Sequence, residues 1–122
     1  MPYSSEVKRL LGSLAHRGSL ADSTHVAQRE NPVCGDRIRL ELKIEGGRVA
    51  SVGYLAEGCP AALAAAEGLA ELIEGRLLEG VQKVDAPTLL AYLGGLPAHK
   101  RHGADLAAEV LRAALTEPDK KA

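Results

Sequence analysis

Two thiols, Cys34 and Cys59, one carboxylate, Asp36, and one imidazole, His102, are the residues of this chain best suited to chemistry. Together they form a soft-to-borderline donor set that suits tetrahedral Zn²⁺ or an iron–sulfur centre. Cys34-Gly35-Asp36 holds a thiol and a carboxylate two residues apart, so that on an extended backbone both point to one face. Cys59 precedes Pro60, which suits the first position of a helix, where unpaired N–H groups favour negative charge on a neighbouring sulfur. His102 stands at the start of the last helical pattern. As a spacing the set is weakly specific, because there is no C-x-x-C pair. Both cysteines also read as small buried hydrophobes, and Asp36 as a surface residue at a strand entry. His16 and His25 lie in polar surroundings and read as solvated. His99-Lys100-Arg101-His102 reads as a basic loop.

The elements that must position these groups follow from periodicity. Arg37 to Glu45 alternates charged and aliphatic residues, the pattern of a half-buried strand, and Gly46-Gly47 is a two-residue turn into a second strand over Arg48 to Ala56. A simple turn pairs Glu45 with Arg48, Ile44 with Val49, Asp36 with Glu57 and Cys34 with Cys59, whereas a bulge shifts the count by one. The hairpin thus brings both cysteines to one end of a sheet. Cys34, Asp36, Ile38, Leu40, Leu42 and Ile44 then share one face, with the chemistry at the rim of the apolar, helix-covered side. Thr24 to Ala27 reads as a short edge strand. Ser4 to Ala15 reads as an amphipathic helix on Val7, Leu10, Leu11 and Leu14, with Ser4 or Ser5 as N-cap. Pro60 to Ile73 is an alanine-rich helix apolar around much of its surface, closed by Gly75. Pro87 to Leu93 reads as a short helix. The last helix lies on Ala107, Val110, Leu111 and Ala114. These elements imply one domain over residues 1–116 with a flexible tail at 117–122.

Composition narrows the function classes. With 46% hydrophobic residues and no Phe or Trp in 122 residues, the core of such a domain is aliphatic. A net charge of -1 supplies no general cationic field for nucleic acid or anionic membrane. No apolar run reaches the ~20 residues of a membrane span, and the first residues lack a signal peptide's apolar region, so the expected location is cytoplasmic. In a reducing compartment the two cysteines are expected as free thiols, ligands or reactive groups rather than a disulfide.

With these residues on the page, the chain resembles the IscU/NifU-type iron–sulfur cluster assembly scaffolds. The resemblance runs from Tyr3-Ser4 and Gly18-Ser19-Leu20, through Asn31-Pro32-Val33-Cys34-Gly35-Asp36 and Glu57-Gly58-Cys59, to Leu96-Pro97 and His102. It implies an α+β fold with a small antiparallel sheet of about three strands covered by helices. It also implies that Cys34, Asp36 and Cys59, with His102 beside or within the coordination sphere, hold zinc, iron or a nascent 2Fe–2S cluster. The implied activity is not enzymatic: a cysteine desulfurase delivers sulfur, iron joins it, and the cluster passes to acceptor proteins. Two departures accompany the resemblance. Where such scaffolds carry a third cysteine directly after the histidine, this chain has Gly103. Where chaperone-recruiting members resemble Leu-Pro-Pro-Val-Lys, this chain reads Leu96-Pro97-Ala98-His99-Lys100, which gives no support for docking of a dedicated Hsp70-type chaperone. A zinc-binding interaction module of the same fold is the alternative that Gly103 favours. A thiol enzyme, with Cys59 attacking a peroxide or disulfide and Cys34 resolving it, is disfavoured, since Asp36 opposes a second negative charge unless a metal intervenes.

Overall fold

The computed structural model describes residues 3–32 and 35–118. Val33, Cys34 and most of the expected tail, residues 119–122, lie outside the described residues. An antiparallel sheet runs in the order β1 (His25–Asn31), β2 (Asp36–Glu45), β3 (Arg48–Glu57). Gly46 and Gly47 take φ of 60° and 74°, the left-handed conformation that a two-residue hairpin turn needs. On β2 the alternation resolves as expected: Asp36, Ile38, Leu40 and Leu42 are buried on the inner face. The edge strand is longer than Thr24 to Ala27, because every residue from His25 to Asn31 pairs with β2, from Leu42 to Asp36. Its exposed Gln28 and Glu30 are the polar outer positions of an edge strand.

The hairpin register holds only near the turn. Glu45 faces Arg48 and Ile44 faces Val49, but Lys43 faces Ser51, so Ala50 is an extra residue in β3. This bulge moves the inner face of β3 from Val49 to Val52, Tyr54 and Ala56, all buried. It also corrects the expected pairing of Asp36 with Glu57. Arg37 faces Glu57, and Asp36 pairs instead with Asn31 of β1. The expected pairing of Cys34 with Cys59 lies outside the described residues.

Helices cover the inner face. α1 (Ser5–Gly12) is capped by Ser4, whose Oγ accepts from the Val7 amide at 3.0 Å and donates to the Leu93 carbonyl. It ends before Ala15, because the chain leaves the helix at Ser13 to lay Arg17 and Gly18 against Tyr54 of β3. α2 (Pro60–Ile73) is buried on nearly every side and lies over β3. α3 (Leu78–Val81) occupies the connector. α4 (Ala86–Tyr92) begins after Asp85, which caps it by accepting from the Thr88 amide at 2.9 Å. A 3-10 turn over Ala98–Lys100 leads into α5 (His102–Thr116), which crosses β1 and β2 and packs along α2. The core between the layers is aliphatic, with Tyr54 as its only fully buried aromatic residue among the described ones. No described helix is long and apolar enough to cross a membrane.

Candidate metal centre

Three of the four expected site residues meet at one end of the sheet. Asp36 begins β2, Cys59 is the N-cap of α2, and His102 opens α5. A carboxylate oxygen, the sulfur and a ring nitrogen lie within 4.8 Å of one another. Cys34 lies outside the described residues, two positions before Asp36 in the chain.

Asp36 is the organising group, with only 1% of its surface exposed. Its Oδ1 accepts the Cys59 backbone N–H at 3.0 Å, which satisfies an orphan donor at the start of α2. Its Oδ2 lies 3.6 Å from Cys59 Sγ and 2.9 Å from His102 Nε2. This fit requires Gly58. A Cβ built there would sit 2.0 Å from Asp36 Oδ1, and the residue's φ of 130° also favours glycine. Gly58 was not singled out from sequence as more than a neighbour of Cys59. The bulge at Ala50 delivers it opposite the carboxylate.

The centre is incompletely satisfied. His102 Nε2 stands at ion-pair distance from Asp36 but outside hydrogen-bond geometry, so among the described residues this buried ring nitrogen has no hydrogen-bond partner. Cys59 has no side-chain cap bond at the helix start, and its sulfur contact with Asp36 is long. A nitrogen, a sulfur and a carboxylate oxygen converging without saturating one another fit a Zn²⁺ or iron ion, whose usual ligands are these atom types. The donor chemistry thus passes the test for such an ion.

A second polar cluster, further along α2, went unread in the sequence. His16, expected to be solvated, donates its backbone N–H to Glu67 Oε1 at 3.0 Å. Its Nδ1 lies 2.6 Å from Glu67 Oε2, and its Nε2 lies 3.1 Å from Glu74 Oε1. Tyr54 donates its hydroxyl to Glu67 Oε1 at 2.9 Å. Burial alone would lower the His16 pKa, but the hydrogen bonds to Glu67 and Glu74 and their charges together raise it. Burial first, then the carboxylate of Glu67, pushes the Tyr54 hydroxyl up as well. No local sequence signal marks this cluster, since Glu67 is 51 residues from His16. His25 Nδ1 lies 2.8 Å from the hydroxyl of its neighbour Thr24, and His99 is exposed.

Comparison with known proteins agrees with the fold. The family described as NifU-like N terminal domain matches residues 2–122. Two iron-sulfur cluster assembly scaffold proteins IscU of Archaeoglobus fulgidus are each 31% identical over 115 residues, covering 94% of this chain and 75% of theirs. A bifunctional protein NifU/MnmA of Rubrobacter xylanophilus is 36% identical over 117 residues, which is 94% of this chain and 24% of that protein. Among solved structures, one described as an iron-sulfur cluster assembly scaffold protein for the SUF system of Fervidobacterium islandicum superposes with a TM-score of 0.77 at 18% identity, covering 93% of this chain and 96% of that one. The N-terminal part of a NifU-like protein from Brucella abortus gives 0.75 at 15% identity, covering 92% and 90%. The α+β architecture is the same in both, and the chain belongs to the NifU-like N-terminal domain family of IscU/NifU-type scaffolds.

Proposed function

We propose that this protein is an iron–sulfur cluster assembly scaffold-type protein that carries iron or a 2Fe–2S cluster, or zinc, as cargo on Cys34, Asp36, Cys59 and His102. The observation that carries the reading is the buried His102 Nε2, which has no hydrogen-bond partner among the described residues and is held within reach of the Cys59 sulfur and the Asp36 carboxylate. A structural cluster would pair that nitrogen, and a site for an ion leaves it free. The bound ion supplies a positive charge that Asp36 and the thiolates balance. Asp36 fixes the Cys59 backbone through Oδ1 and presents Oδ2 to the other two donors. Relatives named as assembly scaffolds support the cargo as iron and sulfur, with a cysteine desulfurase as sulfur source and cluster acceptor proteins as recipients. The protein is then a carrier rather than an enzyme.

Anaerobic incubation with iron, sulfide and a desulfurase, followed by visible absorbance, tests this. The expected result is a chromophore that disappears in Cys34→Ala and Cys59→Ala. No chromophore in the parent protein would sink the cluster reading. A second reading, a zinc-binding module that regulates a desulfurase by docking, is favoured by Gly103, since a full thiolate set is the usual complement for a cluster. Zinc retained on purification, no cluster formed, and altered desulfurase activity would select it.

A further inference from the structure

The residue after His102 has almost no room beside it. A Cβ built on Gly103 would stand 3.1 Å from Ala61 O, 3.2 Å from Ala61 C and 3.3 Å from Ala62 N, tighter than a side-chain carbon normally approaches backbone. Those atoms form the first turn of α2, which is bonded directly to Cys59: the amides of Ala62 and Leu63 donate to the Cys59 carbonyl at 3.0 and 3.4 Å. The helix that carries the imidazole and the helix that carries the sulfur therefore touch backbone to backbone, one residue from His102 and two from Cys59. Gly103 is helical and is not among the positive-φ glycines, so its backbone conformation does not call for glycine. Inside a helix glycine is less favourable than alanine, and a close approach is what offsets that cost.

We infer that Gly103 is a positioning residue that sets the separation between His102 and Cys59. The inference rests on the reading of those two residues as ligands. Any side chain at 103 must part the two helix starts by a few tenths of an ångström, since the obstacle is backbone rather than the end of a flexible side chain. Ligand distances of a functional site hold to about 0.2 Å, so that displacement matters to an ion bridging the helices. At the position where the family resemblance implies a third thiolate, this chain has a helix contact that draws its remaining ligands together.

The test compares Gly103→Ala with Gly68→Ala. A Cβ at Gly68 meets Leu93 Cδ2 at 2.9 Å, so it overpacks the same helix away from the metal centre. Zinc affinity, measured by chelator competition at a temperature where all proteins are folded, is expected to fall at least tenfold in Gly103→Ala, the lower end for disturbing the groups that hold a metal ligand in place. In Gly68→Ala it stays within twofold. The Co²⁺ absorption bands shift in Gly103→Ala alone. In metal-free protein the Cys59 amide resonance moves in Gly103→Ala and not in Gly68→Ala. Equal zinc affinity in Gly103→Ala and parent, with an unmoved Cys59 amide, would overturn the inference. If the parent binds neither Zn²⁺ nor Co²⁺, the ligand reading fails, and the positioning role falls with it.

Discussion

Two histidine–carboxylate clusters, one at the start of α2 and one further along it, differ in completeness. Around Glu67, whose surface is 0% exposed, one carboxylate oxygen accepts from the His16 backbone and the Tyr54 hydroxyl, and the other meets the His16 ring, whose far nitrogen meets Glu74. Arg9 and Glu71 pair with each other nearby, and Tyr92 donates to Glu71. Around Asp36 the carboxylate is equally buried, yet among the described residues His102 Nε2 is left without a hydrogen bond and Cys59 Sγ has only a long one. A saturated buried network locks a fold in place. An unsaturated one in the same molecule marks where something else binds. The two clusters thus set a saturated network against the proposed binding site along the length of α2.

The comparison predicts that damage to each cluster reads out differently. Glu67→Ala leaves His16 and Tyr54 without their shared buried acceptor and should cost about 3–5 kcal/mol in chemical denaturation, a large part of a small domain's stability. Zinc affinity of the folded fraction should change by less than threefold. A large affinity loss would show that the clusters are coupled. Gly58→Ala forces a Cβ against Asp36 at a left-handed φ and should cost about 1–3 kcal/mol. Unlike Glu67→Ala, it should also abolish tight zinc binding in a chelator titration. Tyr54→Phe removes one of the donors to Glu67 while leaving His16, and a loss of about 1–1.5 kcal/mol in the same denaturation assay is expected with metal binding unchanged.

The smallest effect is a pH dependence. The folded pKa of His16 lies above its ordinary value. Protonated His16 therefore adds stability that is complete below about pH 6.5 and is lost as pH rises through the folded value. Measured against His16→Gln, which removes this titration, the parent's advantage should shrink with rising pH across that window. An advantage that grows with pH would mean that the imidazole is held neutral and that the Glu67 cluster is wrongly described.

What was legible in the sequence was local or periodic. The hairpin announced itself through the alternation from Arg37 to Glu45 and through Gly46-Gly47, because strand faces and tight turns are decided by neighbouring residues. Pro60 likewise placed Cys59 at a helix start, and the last helix begins at His102 as read. The remainder depended on distant contacts. The edge strand extends to Asn31 because β2 pairs with it, although Gln28 to Asn31 carry weak strand signals of their own. His16 looked solvated because its partners are 51 and 58 residues away. Gly58 and Gly103 show their roles only when the atoms crowding them, Asp36 Oδ1 and the Ala61 carbonyl, are in place.

The extra residue at Ala50 carries a consequence for how this hairpin can vary in length. Were Ala50 paired in an unbroken register instead of bulged out, Glu57 rather than Gly58 would stand opposite Asp36, setting carboxylate against carboxylate where a side chain of any kind collides. Ala50 is exposed and near the turn, at the far end of the strand pair from Asp36, so substitutions there should be neutral. Deleting Ala50 would close the ladder with Ser51 still opposite Lys43 and Arg37 still opposite Glu57, whereas a single-residue deletion further along β3 would turn every side chain beyond it over. The hairpin can therefore accept beside its turn a change of count that it cannot accept further along the strand.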